Sequence, residues 1–353
     1  MSAAIELGRA EASEERARYF VIGVDVPTAD EGYAVLVREL AARLRAIGPT
    51  RLISIGGTPA ADAIRVPSAR PLISPRLARE LLHHRPSLSF YLWPATLPGL
   101  LRCRLLESLS GGRVVLVAPQ PVSWSTWSAR VAKRLWPALV LVHSEAELTM
   151  ASQIGPAARF QTGVDTDRFR PAQPGEKAEL RRRWGLPEDV QVVLHVGHMV
   201  PSRNLGVLTR LARRPGVQPV LLASRLRRPG SAELEKALLR SGVVVLHGYR
   251  PNVEELYRLA DCYVFPVKSP YGAIAMPLSV LEALASDLPV ASTRFGVLPE
   301  LFGSSAGVSF ANSDEELAQA VEGLLAHPVE TRHLADPYSW DSVVGRLLEL
   351  AEV

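Results

Sequence analysis

The sequence is poor in cysteine and in long apolar runs, and neither sign of charge dominates it. Its only two cysteines among 353 residues, Cys103 and Cys262, stand in separate apolar segments. They offer neither a disulfide framework nor metal-ligand spacing, so two buried thiols in a reducing compartment are expected. No apolar run approaches the roughly 20 residues that span a bilayer. The opening MSAAIELGRAEASEERAR is polar and of mixed charge, unlike a secretory signal; a cytoplasmic protein is expected. Lys and Arg number 40 against 36 acidic residues. That balance, without a zinc knuckle, an aromatic-basic motif or a continuous basic helix, predicts no nucleic-acid partner. Low-complexity tracts and solenoid periods are missing. So are the P-loop, the Gly-x-Gly-x-x-Gly fingerprint and the Gly-x-Ser-x-Gly elbow, which disfavours kinase, dehydrogenase and hydrolase chemistry.

What is present is a globular balance, 47% hydrophobic and 22% charged, in a chain long enough for two cores. Short Val- and Leu-rich runs alternate with amphipathic stretches. Tyr19–Val24, Leu52–Ile55, Leu88–Leu92, Val114–Val117 and Leu139–Val142 read as strands in the first half. Val192–Val196, Val220–Leu222, Val243–Leu246, Cys262–Phe265 and Val290–Ala291 read as strands in the second. Such runs suit parallel strands covered on both faces, hence a doubly wound α/β architecture. The stretch 171–188 (PAQPGEKAELRRRWGLPE) reads as a linker with a short surface helix. The expected division is a Rossmann-like domain over 1–171, a second over 172–337, and a closing helix over 338–353 with apolar Val343, Val344, Leu347 and Leu348. Two such domains place ligands in the cleft between them.

Two segments carry chemistry. In VVLHVGHMVPSRNL a strand ends at Gly197 and a helix is expected from about Asn204, with Arg203 at its start. Unpaired amides, the helix dipole and a guanidinium would together receive phosphate; a plain surface arginine is the alternative. In the stretch 260–300 a strand runs into a loop with Pro266, Pro270 and Gly272, and Pro277 opens a helix. Glu282 lies beside that helix's apolar residues, where a half-buried carboxylate needs donors such as ribose hydroxyls or an arginine. An exposed Glu on the polar edge is equally compatible.

These residues resemble the nucleotide-sugar site of family-4 glycosyltransferases, retaining enzymes of the GT-B fold. Glu282-Ala-Leu-Ala-Ser-Asp-Leu-Pro-Val290 is similar to the second half of that family's Glu-x7-Glu element and the helix end after it. Gly163-Val-Asp-Thr-Asp-Arg-Phe169 resembles its Gly-Val-Asp turn, 197–203 its diphosphate loop, and Tyr338-Ser-Trp340 with the helix behind it the crossover to the first domain. The resemblance implies that Glu282 bonds ribose hydroxyls, and that Gly197, Ser202 and Arg203 hold the diphosphate. It implies that amides around Met276 and Leu278 face phosphate, that Gly248 and Tyr249 lie near the base, and that Gly32 lets the first domain approach the leaving group. It implies no metal and no cofactor beyond the nucleotide-sugar substrate.

Three positions depart from the family. The first glutamate falls at Ile274, the arginine of the diphosphate loop at His198, and the first-domain histidine at Pro119 or Gln120. Arg203, His198 (if charged) and Gln120 are therefore the candidate catalytic donors. Asp165 and Asp167 read as turn caps rather than metal ligands, and His83-His84 as part of a surface helix. The acceptor, a glycan, a lipid-linked sugar or a small molecule, is open. Trp124–Trp136 (WSTWSARVAKRLW) mixes three tryptophans with Arg130, Lys133 and Arg134. It is either a peripheral membrane contact at the inner face or an ordinary helix with its tryptophans in the core. An active transferase leads; a nucleotide-sugar-binding protein or partner subunit without turnover is the alternative, and a phosphorylase or epimerase of similar fold stands behind both.

Overall fold

The computed structural model describes residues 16–24, 32–56, 63–66, 73–120, 124–224, 228–269, 273–303 and 305–352. The amino-terminal polar segment, Pro270 and Gly272 lie outside them.

The first half contains β1 (Tyr19–Gly23), α1 (Gly32–Ile47), β2 (Thr50–Ile55), β3 (Ile64–Val66), α2 (Pro75–His84), β4 (Leu88–Leu92), α3 (Leu97–Ser110), β5 (Arg113–Val117), α4 (Thr126–Leu135), β6 (Leu139–Val142), α5 (Glu145–Ser152) and β7 (Ala157–Arg159). Its strands form one seven-stranded sheet in the order β3-β2-β1-β4-β5-β6-β7, every pair parallel. Alternate residues of a strand face opposite sides. Phe20 and Ile22 accordingly pack with Leu100, Cys103 and Leu106 of α3, whereas Tyr19 and Val21 pack with Leu36, Val37 and Leu40 of α1. Local chemistry sets the helix ends. Ser74 and Thr96 cap α2 and α3 through their hydroxyls, and Ser144 with Glu147 forms a reciprocal capping box on α5.

The second half contains α6 (Glu176–Arg183), β8 (Gln191–Gly197), α7 (Gly206–Leu211), β9 (Val217–Ala223), α8 (Ser231–Arg240), β10 (Val244–His247), α9 (Glu254–Leu259), β11 (Cys262–Phe265), α10 (Leu278–Ala285), β12 (Val290–Thr293), α11 (Leu298–Phe302), β13 (Val308–Ala311) and α12 (Asp314–Ala326). Its six-stranded parallel sheet runs β10-β9-β8-β11-β12-β13. Then α13 (Trp340–Glu352) packs Trp340, Val343, Val344 and Leu347 into the first half's core, in the same cluster as Val21 and Leu36 and beside α1. The fold is two parallel-sheet α/β halves around a cleft, the GT-B arrangement.

Three expectations change. The segment read as a surface helix, α6, buries Arg181, whose guanidinium donates to the carbonyls of Leu259, Glu188 and Val190 and to the Asp261 carboxylate. Such a buried cation persists because its donors are all used. His84 is only 2% exposed; its Nδ1 accepts from the Ala17 amide and its ring lies against Phe20. Around 124–136 the tryptophans part company: Trp136 is buried and Trp124 half-buried, but Trp127 is 69% exposed. On the same helix Arg130, Lys133 and Arg134 are exposed, and among the described residues none of the three has an ion-pair partner.

Candidate active site

In both sheets the strand order reverses beside the first strand, between β1 and β4 and between β8 and β11. Ligands of doubly wound folds lie outside the carboxyl ends of strands at such points. The cleft there is about 360 Å³, large enough for a nucleotide-sized ligand. Gly32 comes to it from after β1, Gly197 and His198 from the end of β8, Ser224 from the end of β9, Ala273 and Ile274 from beyond β11, and Glu282 from α10. The wall is cross-braced between domains. The Ala275 amide donates to Pro119 O at 3.2 Å, and Thr162 Oγ1 to Met276 O at 3.3 Å.

Arg203 is the most informative residue. It lines the cleft, is only 8% exposed, and has no carboxylate partner among the described residues. Burial lowers its pKa, opposed in part by the Tyr263 hydroxyl. A buried, unpaired guanidinium is unfavourable unless an anion completes it. Its setting differs from the expected helix start. Pro201–Arg203 form one 3-10 turn, Asn204 takes a left-handed φ of 55°, and the helix begins only at Gly206. Asn204 is held there by its amide, which donates to Pro266 O and Asp314 Oδ1. The cation, not a helix dipole, thus supplies the positive charge.

Gly197 explains itself by space. A Cβ there would lie 3.1 Å from His195 Nε2 and 3.4 Å from Arg203 Nη1. His195 Nδ1 lies 2.8 Å from Val264 O, so Nδ1 carries the proton and Nε2 is a lone pair. Burial pushes the His195 pKa down to about 3. His198 bonds Ser224 Oγ through Nδ1. Burial first, then the charges of Arg203 and Arg228, lower its pKa to about 4. His198 is therefore neutral at pH 7, and the charged form considered from the sequence is corrected: a desolvated imidazole beside two guanidiniums gives up its proton.

Glu282 is half-buried and reaches the cleft, with Oε2 accepting from Tyr257 Oη at 2.6 Å. Leu278, Tyr249 and Gly32 also line it; a Cβ on Gly32 would lie 3.3 Å from Ile274 Cδ1. Four expected residues do not line it. Met276 is fully buried in the second core. Ser202 points to solvent on its turn. Gly248 only shapes the bend before Tyr249, with φ 81°. Gln120 lines a separate small cavity with Trp124, Trp136 and Glu147, while the Pro119 carbonyl beside it accepts from the Ala275 amide. Asp165 Oδ1 accepts from the Asp167 and Arg168 amides, the capped turn expected. Ser224, Tyr257, Ser279 and Arg250 carry no signal in the sequence, since their roles depend on contacts between distant segments; Trp340, quoted there only as part of the crossover, also lines the cleft.

The fold is the GT-B arrangement, with the cleft at the switch points of its two sheets. Residues 190–327 match the family model described as "Glycosyl transferases group 1". One curated relative is the D-inositol 3-phosphate glycosyltransferase 2 of Catenulispora acidiphila, 33% identical over 193 residues, 49% of this chain and 43% of that protein. Among solved structures, HepE of Anabaena in complex with UDP superposes with a TM-score of 0.75 at 17% identity, covering 95% of this chain and 100% of the other. Sucrose-phosphate synthase of Thermosynechococcus elongatus gives a TM-score of 0.71 at 18% identity, covering 96% and 98%. The chain thus spans less than half of the first of these relatives and nearly all of the two structures.

Proposed function

We propose that this chain is a retaining glycosyltransferase of family 4 that moves a sugar from a nucleotide-sugar donor to an acceptor, without a metal or other cofactor. The observation that carries the reading is Arg203, a buried guanidinium without a counter-ion among the described residues, facing a cleft of nucleotide size. The relative's activity and the UDP held by HepE support it. Glu282 receives the ribose hydroxyls, Arg203 the diphosphate, and Tyr249 lies at the base. As the glycosidic bond to the donor phosphate breaks, negative charge develops on the diphosphate, and Arg203 stabilises it in a water-poor site. The acceptor hydroxyl attacks on the face the diphosphate leaves, and a donor phosphate oxygen takes its proton, so no protein base is required.

A second reading, nucleotide-sugar binding without turnover, is favoured by one observation. At Ile274 the cleft wall is apolar where the family has a carboxylate. The two readings separate by proton NMR of nucleotide sugars incubated with the protein. Turnover should release sugar whose first-formed anomer matches the donor's. Inversion would overturn the retaining mechanism; saturable binding with no release would establish the second reading.

The outer face of α4 is the proposed membrane contact. Trp127 with Arg130, Lys133 and Arg134 suits an anionic lipid surface, which in turn suits a lipid-linked acceptor. Among the described residues no helix is long and apolar enough to cross a membrane, so such contact would be peripheral. Reversing Arg130 and Arg134 to Glu should abolish co-sedimentation with vesicles containing anionic phospholipid. Equal sedimentation of wild type and variant would remove the membrane from the account.

A further inference from the structure

A buried aromatic row adjoins the cleft, which Phe169 at one end lines. Ring centroids are 5.4 Å apart for Phe169 and Tyr257, 5.8 Å for Tyr257 and Tyr263, and 6.1 Å for Tyr263 and His195. Tyr257 and Tyr263 are both 0% exposed. Each sends its hydroxyl to a segment that lines the cleft. Tyr263 Oη donates to Val196 O at 3.3 Å, and Tyr257 Oη donates to Glu282 Oε2 at 2.6 Å.

The second bond differs in kind from the first, because it ends on a side chain. A glutamate on a helix has three rotatable bonds, and fixing them at the moment of binding weakens the complex. Here the phenol is immobilised by stacking on one ring and by the edge of another, with an interplanar angle of 23° to Tyr263 and 87° to Phe169. Burial also holds the Tyr257 hydroxyl protonated far above its ordinary range, so it can only donate to the carboxylate.

We infer that Tyr257 is a positioning residue that sets the plane of the Glu282 carboxylate for a ribose 2′,3′-diol, making the cleft selective for ribonucleotides over deoxyribonucleotides. The inference rests on the nucleotide-donor reading above. It assigns Tyr257 no contact with the ligand: the phenol acts through Glu282.

The test is calorimetric titration of wild type and Tyr257→Phe with UDP, GDP and ADP, each paired with its 2′-deoxy form. The substitution removes one oxygen and keeps the ring, so packing is retained. In wild type the ribonucleotide should bind about tenfold or more tightly than its deoxy partner, as for a hydrogen bond to a charged group. In Tyr257→Phe that preference should fall to about threefold or less, with deoxynucleotide affinity nearly unchanged. Glu282→Gln, which leaves Tyr257 in place, should lose the preference too and serves should Tyr257→Phe not fold. An equal weakening of both forms would make Tyr257 a packing residue only and overturn the inference. A preference undiminished in Tyr257→Phe would overturn it as well. Nucleotide binding with no ribose preference in wild type would remove Glu282 from the ribose and the inference with it, leaving nucleotide binding intact. Failure of every nucleotide to bind would instead overturn the donor reading itself.

Discussion

Arg203→Met is expected to lower sugar transfer by about 10²–10³ while leaving the unliganded protein as stable as wild type or more stable. The two effects share one cause. Arg203 is 8% exposed and has no carboxylate partner among the described residues, so in the empty cleft its charge is desolvated without return. Burying such a group is unfavourable, and an apolar side chain of similar volume relieves it. In the transition state the same charge faces developing negative charge on the diphosphate and becomes the main stabilising group, because His198 is neutral. Steady-state kinetics and thermal melting of the same preparation check both effects. A variant that melts well below wild type would mean that Arg203 is a structural cation, and its loss of activity would then say nothing about phosphate.

Trp340→Ala should destabilise the protein by about 3–5 kcal/mol, in the range of large aromatic truncations in cores. Trp340 is 3% exposed and lies over Gly163, where even a Cβ would come within 2.5 Å of the indole. Its amide donates to Val164 O at 3.2 Å, and the Val164 amide donates to Tyr338 O at 2.8 Å. The indole therefore pins the returning α13 to the segment that leads into the second half. Urea denaturation measures the loss; a change below about 1 kcal/mol would show that α13 is held by Val343, Val344 and Leu347 without it. Because Trp340 also lines the cleft, ligand affinity should fall with stability.

The architecture could be read from sequence wherever strands are apolar on both faces. Leu88–Leu92 and Cys262–Phe265 coincide with β4 and β11 because every residue in them is buried. Ile64–Val66, Ala157–Arg159 and Val308–Ala311 carry no such signal, being short and partly exposed, with no apolar run to mark them. At the site, Gly197, Arg203 and Glu282 were legible because residue type and local order nearly suffice: a strand end, a cation after it, a carboxylate among apolar helix residues. The charge of His198 was not, since it depends on burial and on Arg228, which is 30 positions away in sequence. Gln120 lines a separate cavity beside Trp124, Trp136 and Glu147, a placement that depends on how the first domain folds around it. Tyr257 reads as one more apolar position of a helix until the fold brings its hydroxyl to Glu282, 25 residues on.

The most direct test of the central claim is calorimetric titration of the wild-type protein with UDP, GDP and ADP, repeated on Glu282→Ala. One of them should bind saturably and more weakly to the variant, with a thermal stabilisation of roughly 2.7 kcal/mol at about 100 Kd of ligand. Folded protein that binds none of the three would contradict it, because the unpaired charge of Arg203 would then have no diphosphate to meet.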